Sequence, residues 1–238
     1  MLPKFGRIAT AAATAAVALS AALLSSPPPA AAQALGAQAA QSASEMMAPD
    51  VLVKAVTLEV VDIIQKDKDI QKGDRKKVIA LIETKVLPHF NFQAMTSSAV
   101  GRNWEKASAE QKARLMDEFK TLLIRTYSSA LSAYSSQKFD FRPLRAKPTD
   151  TDVTVNVRVM QPGNQPVTID YDMEKRPTGW KVWDLRVGGI SLVANYRTEF
   201  DNVIRESGVD GLIKALRAKN SSNDSAGVAA SPAGAPKK

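Results

Sequence analysis

The stretch from Val86 to Tyr134 reads V-L-P-H-F-N-F at its start, G-R-N-W from Gly101, and A-S-A-E-Q-K-A-R-L-M-D-E-F-K-T-L-L-I-R-T-Y-S-S-A-L-S-A-Y from Ala107. In the last part Leu115, Phe119, Leu122, Leu123, Tyr127, Ala130, Leu131 and Tyr134 recur at steps of three and four. That spacing puts side chains on one face of a helix, and Lys112, Asp117, Lys120 and Arg125 mostly decorate the other. Ser108 and Gln111 have the spacing of a capping box and mark where the helix begins. The expectation is an amphipathic helix of about seven turns whose wide apolar stripe needs another layer to cover it.

The neighbouring segments supply that layer. Upstream, Pro49-Asp50 opens a helix, with Asp50 as N-cap and Val53, Val56, Val60, Ile63 and Ile64 as its stripe. Gly73-Asp74 opens a second helix carrying Val78, Ile79, Ile82 and Val86, which Pro88 stops. Asn91 caps a third, with Phe92, Met95 and Val100 on it and Gly101 past its end. Downstream the period changes from 3.6 to two. Phe139 and Phe141 alternate with polar residues, as do Val153, Val155, Val157 and Val159, and then Val167, Ile169, Tyr171 and Met173. These are half-buried antiparallel strands, separated by turns at Pro143 and Pro148, at Pro162-Gly163-Asn164 and at Pro177-Thr178-Gly179.

Trp180 to Val187 makes a fourth strand. Its alternation breaks at Val182-Trp183, which predicts either cover on both faces or a bulge. After Gly188-Gly189, Ser191 caps a helix with Leu192, Val193, Tyr196, Phe200 and Val203; Gly208 ends it, and Val209 to Arg217 forms a short last helix. The fold class is α+β: a four-stranded antiparallel curved sheet packed by helices on one face, enclosing an apolar cavity.

The 238 residues divide into a signal peptide (1–32), a disordered linker (33–48), one domain (49–219) and a disordered tail (220–238). Lys4 and Arg7 form a basic start, Ile8 to Leu24 is an alanine-dominated apolar run, and Ala30-Ala31-Ala32 offers a cleavage site, with rivals at Ala32-Gln33-Ala34 and Ala37-Gln38-Ala39. The run falls short of the roughly 20 strongly apolar residues of a membrane span, so export with cleavage is expected. No cysteine is present, so the chain needs no oxidative folding and offers no thiol for lipoprotein acylation. The net charge is +8, with no Arg-rich helix or stripe, which argues against nucleic acid as partner.

Catalytic and metal-binding patterns do not emerge. His89 is the sole histidine and no cysteine can join it in a zinc site. Gly188-Gly189 lacks the pattern of a phosphate loop, and no G-x-S-x-G elbow occurs. Asp170 and Asp172, two apart on a strand, share its wet face, opposite Ile169 and Tyr171. The face of Asp184 stays open; Arg158, Arg186 and Arg197 are candidate partners.

Several blocks in order, across about residues 50–219, resemble the MlaC, or toluene-tolerance, family of periplasmic phospholipid-binding proteins. They are Pro88-His89-Phe90-Asn91-Phe92, Gly101-Arg102-Asn103-Trp104, Phe119 through Leu131, Gly179-Trp180-Lys181-Val182-Trp183-Asp184, Gly189-Ile190-Ser191-Leu192-Val193, and Asn195-Tyr196-Arg197 with Phe200. The family often has Asp where this chain has Asn91 and Tyr where it has Trp183; neither change should threaten the fold. The resemblance implies a soluble monomeric periplasmic carrier that is not an enzyme. It would use no cofactor, bind a glycerophospholipid, and move it between an outer-membrane lipoprotein–porin complex and an inner-membrane ABC transporter with an MCE-type ring, maintaining outer-membrane lipid asymmetry.

On that reading the expected lipid-binding residues are Leu123, Tyr127, Leu131 and Tyr134 from the long helix and Val155, Val157, Ile169, Tyr171 and Val182 from the sheet. Two other readings compete. One is a cone-shaped α+β enzyme using Tyr127 with Asp184 on a small apolar substrate; the other is an adaptor whose pocket is merely core. A cavity of ~1,000 Å³ or more would favour the carrier.

Overall fold

The computed structural model describes residues 47–132, 137–147, 149–160, 163 and 165–225. The signal segment, Tyr134, the side chains of Ala130 and Leu131, Pro148 and most of the Pro162-Gly163-Asn164 turn lie outside the described residues.

Among the described residues, six α-helices and a five-stranded sheet follow in the order α1 (Pro49–Lys66), α2 (Lys68–Gln71), α3 (Arg75–Leu81), α4 (Phe92–Val100), α5 (Ala109–Ser132), β1 (Lys138–Phe141), β2 (Asp152–Met160), β3 (Val167–Arg176), β4 (Gly179–Val187), β5 (Ile190–Ser191) and α6 (Leu192–Ser225). The strands lie in sequence order, each antiparallel to the next, so the sheet is a simple meander. The fifth strand, two residues long, extends the expected four.

Local chemistry explains the helix starts. At α5 the capping box closes in both directions: the Gln111 amide donates to Ser108 Oγ at 3.1 Å, and the Ser108 amide to Gln111 Oε1 at 3.0 Å. Asp74 takes the amides of Lys76 and Lys77, and Asn91 takes that of Ala94. The first helix corrects the sequence reading. It starts two residues earlier, with Ala48 at the N-cap and Pro49 inside the first turn, and Asp50 faces the helix dipole instead of capping. Helix α6 kinks at Gly208, whose φ of 72° suits glycine, and continues to Ser225, past the point where the tail was expected. Asn220 holds that extension: it is buried, its side-chain amide donates to the Glu118 carbonyl at 3.0 Å, and its backbone carbonyl accepts from Arg125.

The buried apolar residues form three separate clusters. Phe119 centres the first, edge-on to Tyr196 and Phe200 with ring centroids 5.1 Å from each, and this cluster welds α4, α5 and α6 together. The second joins α1, α2, α3 and Ile124 of α5. In the third, Leu52 and Val53 of α1 cover Val155 and Val157 of β2, with Met173 and Val182 beside them.

The other sheet face is polar but not simply wet. Asp172 is buried, accepting from Thr154 Oγ1 at 2.7 Å and from Arg186 at 2.9 Å, and Asn156 donates to Asp170. Cross-strand register brings these groups together, so the expected solvated carboxylate pair is a hydrogen-bonded network.

Two outcomes check this account. Phe119→Ala should lose about 3–5 kcal/mol in urea unfolding, since a buried ring at the centre of three helices leaves a cavity behind. Asn91→Asp should cost about 1–3 kcal/mol at neutral pH, because the Asn91 amide donates to the Glu174 carboxylate and an aspartate would oppose it. Part of that loss should return on acidification, beginning above the ordinary carboxylate pKa of about 4, because two carboxylates sharing a site raise one pKa.

Candidate functional site

A cavity of about 300 Å³ opens where the three clusters meet. Helix α1 contributes Val53, Val56, Thr57, Val60, Val61 and Ile64, and α5 contributes Leu123, Ile124 and Tyr127. Phe139 of β1, Ile169, Tyr171 and Met173 of β3, and Val182, Leu185 and Val187 of β4 form the sheet wall. The remaining wall is Ile82, Val86, Leu87, His89, Phe90, Phe92 and Met95, with Leu192 at the start of α6.

Three local devices shape this wall. After α3 the chain widens into a π-turn over Ile82–Val86 and then tightens into a 3₁₀ turn at Leu87–His89. The Thr84 hydroxyl donates to the Ala80 carbonyl at 2.7 Å within this irregular stretch, as Ser and Thr do where helices bend. The widened turn gives the cavity Ile82, Val86 and Leu87 from one short piece of chain.

Next, the chain after it is stitched to the sheet. The Asn91 amide donates to the Val182 carbonyl at 2.8 Å, Phe90 pairs with Val182 in an isolated parallel bridge, and Lys181 Nζ donates to the Pro88 carbonyl at 2.8 Å.

The third device is a bulge in β4. Register runs Asp172↔Asp184 and then Met173↔Val182, leaving Trp183 as the extra residue. Val182 and Leu185 are three apart, and the bulge lets both face the cavity. The broken alternation in the sequence marks this feature.

Of the residues expected from sequence, Leu123, Tyr127, Ile169, Tyr171 and Val182 line the cavity. Val155 and Val157 share the same sheet face, opposite Tyr171 and Ile169, but they sit beneath α1 in the third cluster and are not among the lining residues. Leu131, by its side chain, and Tyr134 lie outside the described residues. Helix α1, the π-turn, Phe90, Phe92 and Met95 line the cavity beyond the expected residues. Their signal was present as apolar stripes, which look the same whether a residue packs or lines a void.

The wall is almost wholly apolar. Its polar side chains are Thr57, His89 and the hydroxyls of Tyr127 and Tyr171. Burial pushes the Tyr127 hydroxyl above its ordinary pKa, partly offset by the Tyr196 hydroxyl next to it, and burial pushes Tyr196 up as well. Both stay neutral at physiological pH and offer polar but uncharged tips. His89 Nδ1 is buried with no hydrogen-bond partner, a cost of about 1–3 kcal/mol for such an atom. Burial lowers its pKa, Lys181 lowers it further, and Glu59 opposes them.

The enzyme reading needs Tyr127 and Asp184 in one place, and the structure does not bring them together. Tyr127 lines the cavity and Asp184 does not. Asp184 is buried and occupied elsewhere, accepting from the Val193 amide at 3.1 Å, the Leu185 amide at 2.8 Å and the Ser191 hydroxyl. These bonds fix the strand-to-helix turn, with Ser191 itself capping α6 through the Ala194 amide at 2.9 Å. Among the described residues no three His, Cys, Asp or Glu side chains gather as a metal site requires, and no helix is long and apolar enough to cross a membrane. The cavity volume does not reach the ~1,000 Å³ that would by itself favour a carrier over a pocket that is merely core: it lies at the lower end of the ~300–1,000 Å³ range of small-molecule sites.

The pKa of His89 carries a pH dependence. Because its folded pKa lies below the unfolded value of 6.5, the unfolded chain takes up the proton first as pH falls. Stability should therefore be full above about pH 6.5 and decline below it through the folded pKa. His89→Gln should flatten that decline in thermal unfolding followed from pH 7.5 to 5. An unchanged slope in the variant would assign the effect to other groups.

Comparison with known proteins fits this architecture. The chain is 39% identical to the phospholipid-binding protein from Ralstonia solanacearum, solved in complex with a phospholipid, over 72% of this chain and 96% of that one, with a TM-score of 0.68. It is 23% identical over 172 residues to the intermembrane phospholipid transport system binding protein MlaC of Haemophilus influenzae, covering 71% of this chain and 80% of that protein. It is 24% identical over 165 residues to a toluene tolerance protein of Pseudomonas putida, covering 68% and 75%. The model of the MlaC protein family matches residues 54–218, and the chain belongs to that family.

Proposed function

We propose that this protein is a periplasmic phospholipid carrier and that the cavity between α1, α5 and the sheet receives the acyl chains. The observation that carries the reading is a nearly all-apolar cavity in a chain 39% identical to a protein solved with a phospholipid bound. The lining residues Leu123, Tyr127, Ile169, Tyr171 and Val182 are the proposed lipid contacts, with Val155 and Val157 supporting the wall from beneath α1. The export signal expected at residues 1–32 supports the compartment. The family resemblance supports the two membrane partners: an outer-membrane lipoprotein–porin complex as one terminus and an inner-membrane ABC transporter with an MCE-type ring as the other. Maintenance of outer-membrane lipid asymmetry is the proposed purpose.

The energetics set the mechanism. Two acyl chains hold about 30 methylenes, and at about 0.8 kcal/mol each their removal from water is worth roughly 24 kcal/mol. Release into water is negligible, so unloading requires contact with a membrane or a partner. Relative to a bilayer, where the chains are already buried, the gain is small enough for transfer to run either way.

Room is the second constraint. A cavity of about 300 Å³ is at the lower end of the ~300–1,000 Å³ of small-molecule sites, well short of what two acyl chains fill. Loading therefore requires the wall to part. The seam between α1 and strands β3 and β4 is the place, since these elements face each other across the void. Val187 both lines the cavity and is exposed, and Ile190 beside it is exposed as well, so the turn joining β4 to β5 is the proposed mouth, where the head group stays in water.

Ile169→Arg should test this directly. It puts a charge on the sheet wall, and uptake of fluorescent phospholipid from vesicles should fall at least tenfold while the circular dichroism spectrum stays native. Undiminished uptake by a folded variant would remove the cavity from the mechanism.

A further inference from the structure

A second concavity, of about 560 Å³, lies on the helical side of the molecule, lined by residues at the end of α4, in the turn after it and on α6. Its charged members are Arg102, Arg197, Arg205 and Asp201, three cations to one anion. We infer that this groove docks an acidic segment of a partner protein, its arginines receiving carboxylates.

The arginines are held in place before any partner arrives. Arg205 reaches Asp201 at 2.8 Å and Arg102 approaches the same carboxylate at 3.6 Å, while the Asn103 amide donates to it at 3.3 Å. One carboxylate thus positions two guanidinium groups and cannot neutralise both. Arg197 Nε donates to the Ser98 carbonyl near the end of α4 at 2.8 Å. Gly101, at a φ of 61°, turns the chain so that Arg102 and Arg197 share one groove; an added Cβ there would sit 3.9 Å from Arg197 Nε. Arg102 and Arg205 keep 79% and 68% of their side-chain surface exposed. The planar arginine fork matches a carboxylate with two parallel hydrogen bonds, and arginine is enriched among residues that dominate protein interfaces.

Two sequence blocks that the cavity leaves unexplained find a role here. In Gly101-Arg102-Asn103-Trp104 and Asn195-Tyr196-Arg197, the aromatic residue of each is buried in the first cluster while the arginine faces the groove. Each block is half anchor and half surface.

The groove fits a peptide better than a bilayer. A membrane-surface site pairs basic residues with exposed apolar ones. The apolar residue here, Val100, is buried, and the exposed large hydrophobic residues Val51, Leu58, Met160, Val187 and Ile190 belong to other elements.

The groove is also coupled to the cavity through its framework. Phe92 and Met95 of α4 line the cavity and Val100 at the other end lines the groove; Leu192 and Arg197 do the same for α6. A partner seated in the groove therefore holds two helices that wall the cavity. That use of the site rests on the carrier reading, whereas the docking itself does not.

The test uses the protein without its signal segment and fluorescein-labelled hexaglutamate as probe, at physiological salt. Arg102→Glu/Arg205→Glu should weaken binding at least tenfold and Arg102→Gln/Arg205→Gln at least fivefold. Lys72→Glu/Lys214→Glu, which makes the same charge change elsewhere, should stay within twofold of the parent. Backbone amide shifts on titration should centre on Gly101, Asn103 and Arg197 to Arg205. Equal losses in the arginine and lysine doubles would overturn the inference, as would loss of co-sedimentation with phosphatidylglycerol vesicles in place of hexaglutamate binding. Lipid uptake by the same variants separates the two claims. Uptake with no groove-specific peptide binding sinks the docking site alone, and groove-specific binding with no uptake in the parent sinks the carrier reading alone.

Discussion

Asn91 ties the helical layer to the sheet, and the cavity depends on that tie. Its backbone amide bonds to the Val182 carbonyl, its side-chain oxygen caps α4 through the Ala94 amide, and its side-chain amide donates to Glu174 of β3. One residue therefore fixes the start of a helix, the position of the preceding turn and the distance to two strands. With Lys181 bound to the Pro88 carbonyl alongside, the segment from Pro88 to Phe92 becomes a spacer. It holds the Phe119 cluster against β4 at one edge, while α1 crosses β2 at the other, and the two supports leave a gap over β3 and β4.

That arrangement explains why the apolar residues form three clusters and not one. An ordinary domain gains stability by closing such a gap, since apolar surface left facing a void forfeits contacts. Here the stability comes from places away from the gap. Phe119, Tyr196 and Phe200 weld α4, α5 and α6, and Asp184 secures the turn into α6 with three hydrogen bonds. The proposed seam is the stretch of α1 that faces β3 and β4 across the cavity, beyond Leu52 and Val53, which the third cluster packs onto the sheet. On the proposed carrier reading, the small volume and the bulk of a phospholipid belong to one account: the walls part as a lipid loads.

The sequence made some of this legible and hid the rest for identifiable reasons. Periodicity placed Leu123 and Tyr127 on the inner face of α5, and the break at Val182-Trp183 marked the bulge. The alternation in β2 and β3 is equally clean, so nothing local separates Val155 and Val157, which α1 covers, from Ile169 and Tyr171, which face the void. Only the path of α1 over β2 decides it. The π-turn at Ile82–Val86 reads as ordinary helix, because Val78, Ile79, Ile82 and Val86 keep helical spacing through it. The arginine groove was invisible for a different reason. Arg102 and Arg197 sit in blocks far apart in the chain, and only the packing of α4 against α6 brings them together.

The central claim is that the gap between α1, α5 and the sheet exists to be filled by lipid. Native mass spectrometry of the protein, purified without detergent and then incubated with phospholipid vesicles, measures this most directly. The account predicts a species heavier than the polypeptide by the mass of one or two phospholipids, and its disappearance in a folded variant charged at Ile169. A single species at the bare polypeptide mass, both as purified and after incubation with vesicles, would contradict it.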